Sequence, residues 1–157
     1  MIAPKIIFEQ GFNGTVQAFA TKEIKLEKNV TLNYPSVICV YAKNSVENKI
    51  AIMERSKIMG AIVMFGNALT EVDKNNIQIE KDGVIIGDVY CTGKLMLKSN
   101  VFGSVFTNRF FYQTPSSIYE NIIVDVEINA NKKPNYFISI PLFENKKTNY
   151  GIFKKVL

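Results

Sequence analysis

The sequence predicts an all-β fold, a β-solenoid of the single-stranded β-helix type that ends in a C-terminal cap. Apolar and polar residues alternate at a period of two over many short segments, which is typical of β-strands. Few segments repeat apolar residues at the helical spacing. A phrase of Gly, a small or polar residue and then Val or Ile recurs along the chain, beginning at Gly14, Gly60, Gly87 and Gly103. Such self-similarity indicates a repeat architecture.

The predicted strands are short and lie close together, with turn residues between them. This pattern of short strands and frequent turns fits a sandwich or a barrel as well as a solenoid. The repeated phrase favours the solenoid, because like residues recur at like places when side chains stack between coils. The strand segments that we predict are 24–26, 30–32, 50–52, 77–79, 95–97 and 122–129.

Glycine suits the corners of such a coil, where positive φ and the close approach of neighbouring backbones disfavour a side chain. Asn29 and Asn100 suit the same corners, because Asn tolerates the left-handed region better than most residues. The three later glycines of the phrase are separated by 27 and then 16 residues. We therefore expect irregular coils, with an insertion at 67–76.

The chain has 157 residues, which is long enough to bury a core, and we expect one β-rich domain over 1–157. Coils are predicted for about 10–105. Residues 106–157 are predicted to form the last coil and the cap, because a solenoid needs an atypical terminal unit over its last apolar coil. No apolar run approaches the ~20 residues that span a bilayer, so we predict no membrane-spanning segment.

Positive charge is concentrated at the C-terminus. Residues 1–130 carry 13 basic and 13 acidic side chains, whereas 131–157 carry six Lys and one Glu. Such asymmetry marks a candidate partner-binding end. The chain has only two Arg, the residue best suited to phosphate and base contacts, which argues against nucleic-acid binding. An anionic membrane or envelope surface stays open as a partner, and so does a solvated cap that protects a sheet edge. The predicted partner-contacting residues are Lys132, Lys133, Tyr136, Lys146, Lys147, Tyr150, Lys154 and Lys155.

The chain contains no histidine, the residue that most often acts as a general base or metal ligand. Its two cysteines, Cys39 and Cys91, lie in strand-like apolar segments and are expected to be small buried fillers. We therefore predict that the protein is not an enzyme and has no catalytic, cofactor-binding or metal-binding residues.

The alternative function is a carbohydrate-binding or carbohydrate-cleaving domain, which would need facing carboxylates to cleave a glycan. We expect Asp125 and Glu127 to share the solvent face of the strand at 122–129, following the alternation of that segment. The candidate acids are Asp82, Asp88, Asp125 and Glu127.

The segment 82–107, which contains the phrases at Gly87 and Gly103, resembles the coils of bactofilin-like β-solenoids. Bactofilins are polymer-forming bacterial cytoskeletal proteins. Three short segments are similar to the C-terminal part of uncharacterised Bacteroidota envelope proteins: 107–111, 117–121 and 140–143.

The resemblance implies a structural or assembly module of a bacterial envelope or cytoskeletal-type protein. Such a module acts by self-association, as an oligomer or polymer, or by binding another envelope protein. The resemblance implies no functional residue. It favours a cell-envelope location if the chain is part of a longer protein, and a cytoplasmic location otherwise.

Overall fold

The computed structural model describes residues 1–41, 47–66 and 72–138. Within these ranges the regular structure is almost entirely β, which confirms the predicted fold class at that level. The helical elements described are two short 3₁₀ turns, Val72–Lys74 and Ala130–Lys132. The strands are β1 (Ile2–Phe8), β2 (Asn13–Gly14), β3 (Gln17–Leu26), β4 (Thr31–Tyr41), β5 (Asn48–Ile52), β6 (Lys57–Phe65), β7 (Asn75–Ile79), β8 (Val84–Leu97), β9 (Asn100–Phe102), β10 (Val105–Gln113) and β11 (Ile118–Glu120).

Six parallel strands close into a barrel in the order β3-β5-β7-β8-β6-β4, and β4 pairs again with β3. Two long strands make this closure, because each pairs with one neighbour over its first half and with another over its second half. In β3, residues 17–20 pair with β4 and residues 23–26 pair with β5. In β8, residues 84–91 pair with β6 and residues 94–97 pair with β7.

The predicted open solenoid with a C-terminal cap is therefore wrong, and a barrel with extra strands is the observed architecture. The repeated phrase does not distinguish a solenoid from a barrel, because parallel strands in register place like residues side by side whether or not the sheet closes into a ring. The strands assigned to the cap join the sheets instead. Strand β10 lies parallel to β8, and β11 folds back antiparallel on β10.

The core consists of columns of aliphatic side chains contributed by successive strands. Full burial of one such side chain contributes about 1.5–3 kcal/mol, so these columns are the main source of stability. In the first column the paired residues, all fully buried, are Ile24, Ile50, Ile77 and Leu95. In the second column the paired residues, also fully buried, are Leu32, Ile58, Ile85 and Val101.

Three glycines of the repeated phrase stack on one another across neighbouring segments of the chain, where the backbones approach too closely for a side chain. Gly60 lies over Ser36, Gly87 lies over Gly60, and Gly103 lies over Gly87. A Cβ atom at Gly87 would lie 1.8 Å from the carbonyl oxygen of Gly60. Gly60 and Gly87 also have positive φ, +144° and +137°. The close backbone approach predicted from the phrase is confirmed here.

The two asparagines predicted at corners behave differently. Asn29 has φ of 59°, as expected for a corner. Asn100 is not among the positive-φ residues described; it lies in β9, and its Oδ1 accepts a hydrogen bond from the Glu127 backbone N–H at 2.9 Å. Its role is therefore to hold a neighbouring segment and not to turn the chain.

Two other predicted segments differ from the structure. Residues 122–129 form no strand; they contact β9 through a parallel bridge, Val101 to Ile128, and through the Asn100–Glu127 hydrogen bond. Asp125 has φ of 54°, which breaks the extended conformation that the alternation predicted. The predicted insertion at 67–76 falls partly outside the described residues, but β7 already begins within it, at Asn75.

Candidate functional site

The outward side of one sheet of the barrel is apolar, and we call it the aromatic face. It is formed by parts of β3, β4, β6, β8 and β10, whose inward residues fill the core. The outward residues of the aromatic face are Phe19, Val37, Cys39, Tyr41, Ala61, Val63, Phe65, Tyr90 and Phe106.

Four rings of the aromatic face stack on one another along the sheet. The ring centroids of Tyr41 and Phe65 are 6.0 Å apart, with the planes 11° from parallel. Those of Phe65 and Tyr90 are 6.4 Å apart at 26°, and those of Tyr90 and Phe106 are 4.9 Å apart at 9°. In the register of β6 and β8, Tyr90 lies beside Val63, so the contact between Phe65 and Tyr90, the longest of the three, is diagonal.

This stacking decides what the rings offer to a partner. Stacked aromatic pairs contribute about 0.5–1.5 kcal/mol beyond the area they bury, so the stack stiffens the sheet surface. The three ring contacts have centroid distances of 4.9–6.4 Å, and Phe65 and Tyr90 each lie between two neighbouring rings. Phe19, Tyr41, Phe65 and Phe106 remain between 41% and 47% exposed. The aromatic face thus offers a partly exposed apolar surface of stacked rings.

The outward side of β1, β5, β7 and the second half of β3 has the opposite character, and we call it the charged face. Lys5, Glu23 and Lys49 lie side by side in register along it. The ammonium of Lys5 lies 2.8 Å from the Glu23 carboxylate. Lys25 makes a further pair with Glu27 at 2.6 Å. The barrel therefore has a solvated charged side and an apolar side.

The two cysteines are both free and lie on opposite sides of the same sheet. Cys91 points into the core, and burial raises the pKa of its thiol to about 11. The prediction of a buried filler is correct for Cys91. It is wrong for Cys39, which is half-buried on the aromatic face and whose thiol pKa is raised by partial desolvation.

Lys133, one of the predicted partner contacts, forms an ion pair inside the chain. Its ammonium lies 3.0 and 3.1 Å from the two carboxylate oxygens of Asp88, which also accepts a hydrogen bond from the Ser104 backbone N–H. The side chains are 13% and 1% exposed. The ion pair links residues 45 positions apart in the chain and attaches the segment around Lys133 to β8.

Two other predicted partner contacts also serve the attachment of this segment. The ammonium of Lys132 lies 2.7 Å from the Glu127 carboxylate and 5.0 Å from the centre of the Phe102 ring. Hydrogen bonds from Lys132 and then Asn129 lower the pKa of Glu127. The side chain of Tyr136 is largely exposed, and its carbonyl accepts a hydrogen bond from the Tyr34 hydroxyl at 3.1 Å.

A stacked ring pair completes this attachment: Phe137 is buried against Tyr34, with centroids 4.1 Å apart. The other predicted partner contacts lie outside the described residues, and they are Lys146, Lys147, Tyr150, Lys154 and Lys155.

The four candidate acids do not form one site. Asp82 and Asp125 line a common polar cleft of about 390 Å³, together with Lys98 and Tyr112. Asp88 lies elsewhere, buried beneath Lys133. Glu127 pairs with Lys132. Because 122–129 is not a strand, Asp125 and Glu127 do not share a strand face as predicted.

Among residues 1–41, 47–66 and 72–138, no group of three or more potential metal ligands occurs. In the same part of the chain, no helix has the length and apolar character needed to cross a membrane. Comparison with known proteins gives no relative: no family model, curated protein or solved structure matches the chain. The role of the chain is therefore argued from its surface chemistry, and its setting from the sequence resemblance of 82–107.

Proposed function

We propose that this chain is a non-catalytic structural or assembly module, which acts by packing its aromatic face on another protein chain. The observation that carries the proposal is the exposure of strands whose sequences are apolar on both sides. Residues 37–41 and 61–65 are uninterrupted apolar runs, yet the barrel core covers only one side of them. Parallel strands with such runs are normally covered on both faces.

The composition of the aromatic face supports the same proposal. Tyr and Phe are enriched at the centres of protein interfaces, where they bury large areas. The aromatic face presents both residue types on neighbouring strands of one sheet.

The alternative, carbohydrate binding or cleavage, is less well supported by this geometry. Flat ligands that stack on aromatic side chains need accessible ring faces, whereas Phe65 and Tyr90 lie between neighbouring rings. Asp88 is neutralised by Lys133 and shielded from solvent. A bacterial envelope or cytoskeletal setting for the module follows from the resemblance of 82–107 to bactofilin coils and is part of the proposal.

Position-specific photo-crosslinking in the natural host tests the proposal. A photoreactive phenylalanine analogue replaces Phe106 on the aromatic face or, as the control, Lys49 on the charged face. We expect a discrete crosslinked protein product from position 106 and little or none from position 49. Equal crosslinking at the two positions, or none at position 106, would contradict a docking role for the aromatic face.

A further inference from the structure

The polar cleft that Asp82 and Asp125 line is a second candidate site, and none of its lining residues belongs to the aromatic face. We infer that the polar cleft binds a neutral mono- or disaccharide. The aromatic face and Asp88 give little support for sugar binding, but the polar cleft is a different surface with its own chemistry. The inference goes beyond the proposed function and does not depend on it.

Hydrogen bonds between separate segments of the chain hold the walls of the polar cleft in place. Two neighbouring turns are joined through Ser99, whose hydroxyl donates to the Glu80 carbonyl and accepts from the Gly83 backbone N–H at 3.1 Å. The segment 122–129 is held by a backbone N–H that donates to Asn100 Oδ1 at 2.9 Å. The cleft is therefore formed before a ligand arrives, which lowers the entropic cost of binding.

Several polar groups that line the polar cleft have no partner of their own. In the described part of the chain, no hydrogen bond or ion pair is made by the carboxylates of Asp82 and Asp125, the ammonium of Lys81 or the hydroxyl of Tyr112. The ammonium of Lys98, by contrast, already has a carboxylate 3.3 Å away and lies 5.6 Å from the centre of the Tyr112 ring. A few polar groups that converge on one cleft are the feature that fixes the orientation of a small ligand.

The mixture of these groups favours a neutral polyhydroxyl ligand over an ion. Carboxylates accept hydrogen bonds, an ammonium donates them, and a hydroxyl does both. Neighbouring sugar hydroxyls can therefore bond to the acceptors and to the donors of the cleft at once. Asp82 and Asp125 would repel an anion, and Lys81 and Lys98 would repel a metal cation. An apolar ligand would desolvate these charges without pairing them.

The size and exposure of the polar cleft predict weak binding of a small sugar. Its volume of about 390 Å³ lies near the lower end of the range of ~300–1,000 Å³ that is typical of small-ligand sites. Asp82, Asn100 and Asp125 are exposed, so water competes for each hydrogen bond to the ligand. We expect a dissociation constant on the order of 1 mM.

Backbone amide chemical shifts of the isotope-labelled full chain test this inference. The probes are glucose, galactose, mannose, N-acetylglucosamine, cellobiose, lactose and chitobiose, each added up to about 20 mM. We expect at least one of these sugars to shift the amides of 81–83, 98–100 and 124–125 in a saturable way. The amides of 23–27 and 49–51, on the charged face, should not shift.

Two substitutions remove ligand-binding groups and keep the shape of the cleft. Tyr112→Phe removes only the hydroxyl, and Asp82→Asn removes the charge with a residue that tolerates the positive φ of this position, 63°. Each should raise the dissociation constant about five- to tenfold, as the loss of one hydrogen bond predicts. The matched control is Tyr119→Phe, because Tyr119 pairs with Tyr112 in register but does not line the cleft. The amide spectrum verifies that each variant is folded.

The outcomes separate a sugar site from an ion site and from no site. Saturable binding that both substitutions weaken and Tyr119→Phe does not supports the inference. No saturable shift with any of the sugars, or binding that both variants retain, overturns it. Saturable shifts of the same amides with calcium chloride or sodium phosphate alone would identify an ion site and would also overturn it. Failure of this inference leaves the proposed function standing, because crosslinking at position 106 tests that function separately.

Discussion

Replacement of Gly87 by Ala is expected to destabilise the fold by more than about 4 kcal/mol, a large part of the typical 5–15 kcal/mol of stability. The new Cβ atom would lie 1.8 Å from the Gly60 carbonyl oxygen, and it would also sit on a residue with φ of +137°. The backbone at Gly87, the backbone at Gly60, or both would have to move. Urea unfolding followed by circular dichroism measures the effect.

Two further glycine substitutions separate the causes of that loss. Gly11 has φ of +77° and open space around its Cβ position, so Gly11→Ala reports the conformational cost alone, about 1–2 kcal/mol. Gly103 lies outside the positive-φ region, but its Cβ would meet the Gly87 carbonyl oxygen at 1.8 Å, so Gly103→Ala reports the clash. If Gly87→Ala destabilised the protein no more than Gly11→Ala, the close approach of the Gly60 and Gly87 backbones would be contradicted.

Replacement of Lys133 by Met is expected to destabilise the fold by about 3–5 kcal/mol, because it removes the ammonium that lies 3.0 Å from the buried Asp88 carboxylate. Adding Asp88→Asn to Lys133→Met should recover part of the loss, since the buried negative charge is removed. Urea unfolding of the two single variants and the double variant gives the coupling free energy between the two residues.

Lys132→Met is the matched control for Lys133→Met. Lys132 precedes Lys133 in the chain and also forms an ion pair, but Lys132 and its partner Glu127 are both well exposed. Solvent screening makes such pairs weak, so we expect little change in stability. Equal effects of the two lysine substitutions would show that the buried Lys133–Asp88 pair has no special role.

The β-class and the buried columns could be predicted from the sequence because both follow from local alternation. Ile24, Ile50 and Ile77 alternate with polar neighbours, and a strand with that pattern buries one side wherever its partners lie. The glycine stacking was predictable for a similar reason, since Gly60 and Gly87 recur in like surroundings. Closure of the ring was not predictable, because it depends on β3 and β8 each pairing with two neighbours.

The candidate surface was harder to predict than the core. The net positive charge of the C-terminus pointed to Lys132 and Lys133 as partner contacts. Their ion-pair partners lie 5 and 45 residues away in the chain. No local sequence pattern could predict the pairing of Lys133 with Asp88 over that separation. A usable signal did exist: the uninterrupted apolar runs at 37–41 and 61–65 indicate strands that need cover on both sides. The side of these strands that the core covers could not be predicted, because it depends on how the barrel closes.

The thiol of Cys39 gives the most direct measurement of whether another protein chain covers the aromatic face. Cys39 lies among the residues of that face, whereas Cys91 is buried with a thiol pKa of about 11 and should stay inert in the native protein. Labelling with a thiol reagent at pH 8 therefore reports on Cys39 alone.

We expect the rate constant for Cys39 labelling to be at least fivefold lower in a lysate of the natural host than in the purified, dilute protein. In Phe65→Ser the rate constant in the lysate should match that of the purified protein, because the partner no longer covers the face. A rate constant for the unmodified chain that is the same in the lysate and in the purified protein would contradict the account.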